Sequence, residues 1–117
     1  MPHITVSCLP NLSEKKIRAL HNKIVAAVVS IEELGLRGED DMLNTFPPDM
    51  MKYGLGKEIM VHVAELWDKP ERTPEVRNRL AQALGETVEA MFPPPVVVAV
   101  RLDPPFDPKQ GFWTNKK

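Results

Sequence analysis

PHITVSC (residues 2–8) and EIMVHVA (residues 58–64) share one pattern, and the fold follows from it. In the first, Ile4, Val6 and Cys8 fall on one face and His3, Thr5 and Ser7 on the other. In the second, Ile59, Val61 and Val63 share a face, and the run extends to Trp67. Strict alternation predicts a half-buried strand in each case. Each strand leads into a helix. Ser13 is a candidate N-cap with Glu14 at the positive helix end, and Ile17, Leu20, Ile24, Val28 and Ile31 recur at helical spacing, with the helix ending near Gly35. Thr73-Pro74-Glu75 opens the second helix with an N-cap, a proline at the first helical position and an acid in the first turn. Its apolar stripe is Val76, Leu80, Leu84, Val88 and Met91, and Pro93-Pro94-Pro95 stops it.

A further strand follows each helix. MLNTF (residues 42–46) is stopped by Pro47-Pro48, and VVVAVRL (residues 96–102) is apolar enough to be covered on both faces. MMKYGLGK (residues 50–57) carries two glycines and predicts a turn or small hairpin, and GFWT (residues 111–114) is a short strand candidate. The order strand-helix-strand thus occurs twice. The expected fold is α+β: a duplicated β-α-β chain forming a four-stranded mixed sheet with two helices on one face. The expected domain is single, over residues 1–117, with halves of about 2–56 and 58–117. Two helices cover one face only, so the other is expected to be buried by like subunits in a closed symmetric oligomer.

Composition sets limits on function. The 117 residues are 43% hydrophobic, and 15 basic against 16 acidic side chains leave a net charge of −1 with no basic stripe. Nucleic acid is not the expected partner. Cys8 is the single cysteine, which excludes an intramolecular disulfide and suits a reducing cytosol. No apolar run approaches 18 residues and no signal peptide is evident, so a cytoplasmic protein without a membrane partner is expected. His3, His21 and His62 show no metal-ligand spacing, and His62, between two valines, reads as a hydrogen-bonded sheet histidine. Met50 and Met51 read as core or interface filler.

Pro2 has two readings. It is a strand opener lacking a backbone N–H, or, once Met1 is removed, a terminal secondary amine. An α-amino group titrates at roughly 7.7–8.0, and burial disfavours its charged form, so a buried Pro2 is neutral and basic near neutral pH. Retained Met1 would acylate that nitrogen and abolish its basicity.

A proline after Met1 on a short strand, in a doubled β-α-β chain of this length, resembles the tautomerase superfamily, which includes 4-oxalocrotonate tautomerase and macrophage migration inhibitory factor. KYGLGKE (residues 52–58) is similar to that family's aromatic-Gly-x-Gly turn, with Tyr53 at an active-site aromatic. NTFPPDMMKYG resembles the middle of a migration inhibitory factor chain, and GFWTN its C-terminal hairpin. The overall likeness is closest to a duplicated bacterial branch. The resemblance implies a homotrimer and a cofactor-independent proton shuttle on a small-molecule substrate, with Pro2 as general base. Asn11 and Met42 stand where one family enzyme has its two substrate arginines, so the substrate does not transfer with the fold.

A proton shuttle on an enol or keto acid needs a cation or donor for the carboxylate and the developing oxyanion. Arg37, in the loop after the first helix, and Arg101, the lone charge in an apolar strand, are candidates. For both, a surface or interface ion pair is the alternative. Tyr53 and Trp113 either wall an apolar pocket or pack at an interface. Two functions remain: a keto–enol tautomerase or isomerase of a 2-hydroxy-dienoate or 2-keto acid, and a trimeric scaffold or ligand-binding protein without turnover. A decarboxylase, hydratase or dehalogenase using the same proline is a relative of the first.

Overall fold

The computed structural model describes residues 1–47 and 58–115. The elements are β1 (His3–Ser7), α1 (Glu14–Val29), 3₁₀ turns at Glu32–Leu34 and Glu39–Asp41, β2 (Leu43–Thr45), β3 (Glu58–Ala64), α2 (Pro74–Met91) and β4 (Val97–Leu102). The sheet order is β2-β1-β3-β4. β1 and β2 are parallel, β3 and β4 are parallel, and the two pairs meet antiparallel through β1 and β3. The fold is the expected mixed sheet of four strands with two helices.

Register decides what each face carries. Ile4 lies opposite Val63 and Val6 opposite Val61, while Val98 and Val100 lie beside Ile59 and Val61. These residues turn toward the helices, where Leu20, Ile24 and Val28 of α1 and Val76, Leu80, Leu84 and Val88 of α2 complete one buried cluster. Both helix caps act as the sequence predicts: Ser13 accepts from the Lys16 amide and Thr73 from the Val76 amide. α1 stops at Val29 rather than near Gly35, because Ile31 turns to extended backbone. The remaining residues form a separate 3₁₀ turn closed by Gly35 at φ +69°, a left-handed conformation that glycine adopts without Cβ strain.

The opposite face carries His3, Thr5, Ser7, Thr45, Met60, His62, Ala99 and Arg101, and no element of the described chain covers it. Hydroxyl and imidazole groups link across it. His3 Nε2 lies 3.0 Å from Thr45 Oγ1, Thr5 Oγ1 lies 3.2 Å from the same atom, and His62 Nε2 lies 2.7 Å from Asp103 Oδ1.

Two expectations are corrected. Among the described residues, β4 is covered on one face only. It is an edge strand, and Val97 and Arg101 are exposed because both helices lie on the other side. GFWT is not a strand: residues 112–115 have no regular structure. Phe112 instead packs edge-on against Trp67 and Phe106, at centroid distances of 5.2 and 6.0 Å. The only ladder contact near it is the single bridge between Trp67 and Phe106, and the prolines at 104, 105 and 108 withhold the donors a longer ladder needs. The predicted hairpin over residues 50–57, with Tyr53, Met50 and Met51, lies outside the described residues.

Candidate active site

β1 places Pro2 at the centre of one sheet end. The residue is buried, and its carbonyl accepts a 2.9 Å hydrogen bond from the Leu43 amide, which extends the β1–β2 pairing past His3. Two recesses adjoin this end, and Met1 lines both. The first, of about 370 Å³, is walled by Gly35, Leu36 and Arg37 on one side and by Trp67, Lys69 and Arg72 on the other, with Asp40 and Asp41 between. The second, of about 450 Å³, is walled by Trp67, Phe106, Phe112, Trp113 and Thr114, with Glu65 its one ionisable side chain. Trp67 borders both. A polar recess with three cationic side chains and an aromatic recess therefore flank the N-terminal residue.

The cationic wall is held by Arg72. Its Nη2 donates to the Leu34 carbonyl at 2.7 Å and its Nη1 to the Trp67 carbonyl at 2.9 Å, while Nε is buried without a partner. Burial pushes this guanidinium below its ordinary pKa, and neighbouring Glu71 opposes that shift. No carboxylate pairs with it among the described residues, so its charge stays available to the recess it borders. Arg37 is exposed, and its amide donates to Asp41 Oδ2 at 2.7 Å, which fixes the loop that presents it.

Of the residues singled out from sequence, Arg37 lines the first recess and Trp113 the second, and Met1, the chain neighbour of Pro2, lines both. Trp113 is 83% exposed, so one wall of the aromatic recess is open to water. Arg101 lies elsewhere, on the uncovered sheet face beside His62, and lines neither recess. Tyr53 is outside the described residues. The sequence reading missed Glu65, Trp67, Lys69, Arg72, Phe106 and Phe112. The Trp67–Phe106 bridge joins residues 39 apart, one read as the end of a strand that in fact stops at Ala64 and the other as part of a turn-rich tail, and nothing local in KPERTPE marks Arg72 as buried. No cluster of three His, Cys, Asp or Glu side chains suited to a metal occurs among the described residues. Nor is any described helix long and apolar enough to cross a membrane.

No family model and no curated protein matches this chain. Solved structures do match, over nearly its whole length. A fused 4-OT solved as an asymmetric trimer is 17% identical, with 98% of this chain and 94% of that one covered at a TM-score of 0.74. Pt0534, inactivated by 2-oxo-3-pentynoate, is 24% identical over 97% and 93%, at 0.70. Macrophage migration inhibitory factor of Toxoplasma gondii is 14% identical over 97% of each chain, at 0.67. Two β-α-β units joined antiparallel at β1 and β3, matched at this coverage, give the chain the fold of the tautomerase superfamily.

Proposed function

We propose that this protein is a cofactor-independent keto–enol tautomerase or isomerase of a small 2-hydroxy-dienoate or 2-keto acid. Met1 is removed, and the freed ring nitrogen of Pro2 is the general base. The observation that carries the reading is the setting of the N-terminal residue between a cationic and an aromatic recess. A 2-keto acid has matching halves: a carboxylate for the wall of Arg37, Lys69 and Arg72, and an apolar chain for the wall of Trp67, Phe112 and Trp113. Cations near the terminal amine disfavour a second positive charge there and so favour the neutral base. They also stabilise the enolate oxygen that develops when a proton leaves carbon.

The working assembly in this reading is a homotrimer of single-domain chains, in which the uncovered sheet face and its edges are buried. The fused 4-OT neighbours, solved as trimers, support it. Tyr53 adds an aromatic wall, and Arg101 contributes where subunits meet. One neighbour, malonate semialdehyde decarboxylase, is 14% identical at a TM-score of 0.64, so 3-oxo acids belong in the substrate screen.

The test is intact mass followed by an enol-acid screen on processed chain and on chain with Met1 deliberately retained. Turnover confined to the processed form, and falling sharply in Pro2→Ala while the fold persists, supports the proposal. Native protein that carries Met1, or equal turnover in both forms, overturns it.

A further inference from the structure

Glu65 is the residue that the site described so far leaves without a role. It follows β3 directly, in the left-handed region, at φ +59°. The antiparallel ladder closes with His3 opposite Ala64, so Pro2 and Glu65 are the next residues along their two segments. The same side chain lines the aromatic recess together with Met1.

The backbone conformation has a clear effect. Ile59, Val61 and Val63 face the core, so uninterrupted alternation would point residue 65 inward and residue 66 outward. The structure does the reverse: Leu66 is 3% exposed and Glu65 is exposed. The left-handed turn at 65 thus switches phase, burying Leu66 and leaving the Glu65 side chain outside the core, in the recess that Met1 also lines. Glycine makes that turn without a Cβ clash, and asparagine tolerates it better than glutamate. Cys8 makes the same turn after β1, at φ +67°, and buried Leu9 follows it, so the turn belongs to both halves; what sets Glu65 apart is a carboxylate in the recess that Met1 also lines.

We infer that Glu65 is a second catalytic proton carrier, handling the proton on the substrate oxygen while Pro2 handles the proton on carbon. This rests on the enol-acid reading above. In ketonisation, a Glu65 carboxylate oxygen takes the enol O–H proton, leaving an enolate. Water relays that proton from the Glu65 carboxylic acid to the neutral ring nitrogen of Pro2. The resulting ammonium delivers it to carbon as the C–O double bond forms and the C=C electron pair closes on the proton, so Glu65 ends as a carboxylate and Pro2 as a neutral amine, as they began. Glu65 is exposed, so water reaches it for that relay.

Two substitutions separate chemistry from strain. Glu65→Gln keeps the shape and removes the proton acceptor, and kcat is expected to fall at least about tenfold, as for loss of a general base, with KM little changed. Glu65→Gly releases the strained backbone, so the thermal midpoint is expected to rise by about 2–8 °C while kcat falls equally. A Glu65→Gln chain with wild-type kcat overturns the inference alone, and so does a Glu65→Gly chain that is less stable than wild type. If processed wild-type chain turns over no enol or 3-oxo acid, the reading of the site falls and this role with it.

Discussion

Arg72 reaches across 38 residues of sequence to donate to the Leu34 carbonyl at 2.7 Å, and the same guanidinium holds the Trp67 carbonyl at 2.9 Å. Trp67 lines the cationic recess, and Leu34 precedes Gly35, which also lines it. Replacement by Met keeps much of the apolar stem but leaves two carbonyls without a donor, a cost of about 1–3 kcal/mol for each group that stays dry. Arg72→Met is therefore expected to lower the denaturation midpoint measurably, and Arg72→Lys to restore little of it, because one ammonium does not reproduce the two-pronged fork. An unchanged midpoint in Arg72→Met would show that the recess holds its shape without the clamp.

The pair of His21 and Glu39, 2.8 Å apart, makes stability depend on pH. Hydrogen bonding to His21, and then its charge, holds the Glu39 carboxyl below the ordinary carboxylate range. A carboxyl with its folded pKa depressed stabilises the fold above its unfolded pKa of about 4.3 and loses that contribution as pH falls through the lower folded value. Wild type is expected to lose stability across that acid window more steeply than Glu39→Gln. The pair is exposed, so the difference is small. Parallel curves for the two chains from pH 6 to pH 3 would assign no role to the pair.

Trp113 gives the aromatic recess an optical reporter. At 83% exposure it contributes little to folding, and Trp113→Ala is expected to change stability by no more than about 0.5 kcal/mol. Its fluorescence should nevertheless be shielded from a soluble quencher when a 2-keto acid with an apolar chain binds. Quenching that is the same with and without saturating ligand would place the ligand elsewhere.

Core and uncovered face are expected to respond differently to substitution. Leu84 is fully buried under the sheet, and Leu84→Ala should cost about 2–5 kcal/mol. Val97 is 45% exposed at the sheet edge, and Val97→Lys should leave the fold intact while weakening self-association. Sedimentation is expected to give a trimer for wild type and smaller species for Val97→Lys. A stable wild-type monomer at micromolar concentration would remove the trimer from the proposal.

Periodicity carried most of the fold. Alternation in PHITVSC and EIMVHVA, the two capped helices and the Pro93-Pro94-Pro95 stop each report a preference written within a few residues, and the structure realises them. The site was less legible because its walls are assembled from turns distant in sequence. Arg37 and Trp113 stood out as a cation and an aromatic in short loops. No sequence signal singles out Arg72, since its burial depends on where the Leu34 turn lies. GFWT failed as a strand for the same reason: its phenylalanine is fixed by two distant rings rather than by a partner strand. Glu65 was hidden because strict alternation has no place for a left-handed residue.

The two edges of the sheet are unlike: β2 is three residues long and β4 is six, and they run in opposite directions because the sheet reverses only between β1 and β3. Contact between like edges, β4 on β4, is satisfied by a two-fold axis and ends with a pair. Contact between unlike edges leaves one of each kind open at every step, so growth stops only when a ring closes. An odd-numbered ring of this chain closed through its sheet edges therefore has the short edge of one copy meeting the long edge of the next, a seam that no two-fold axis can generate.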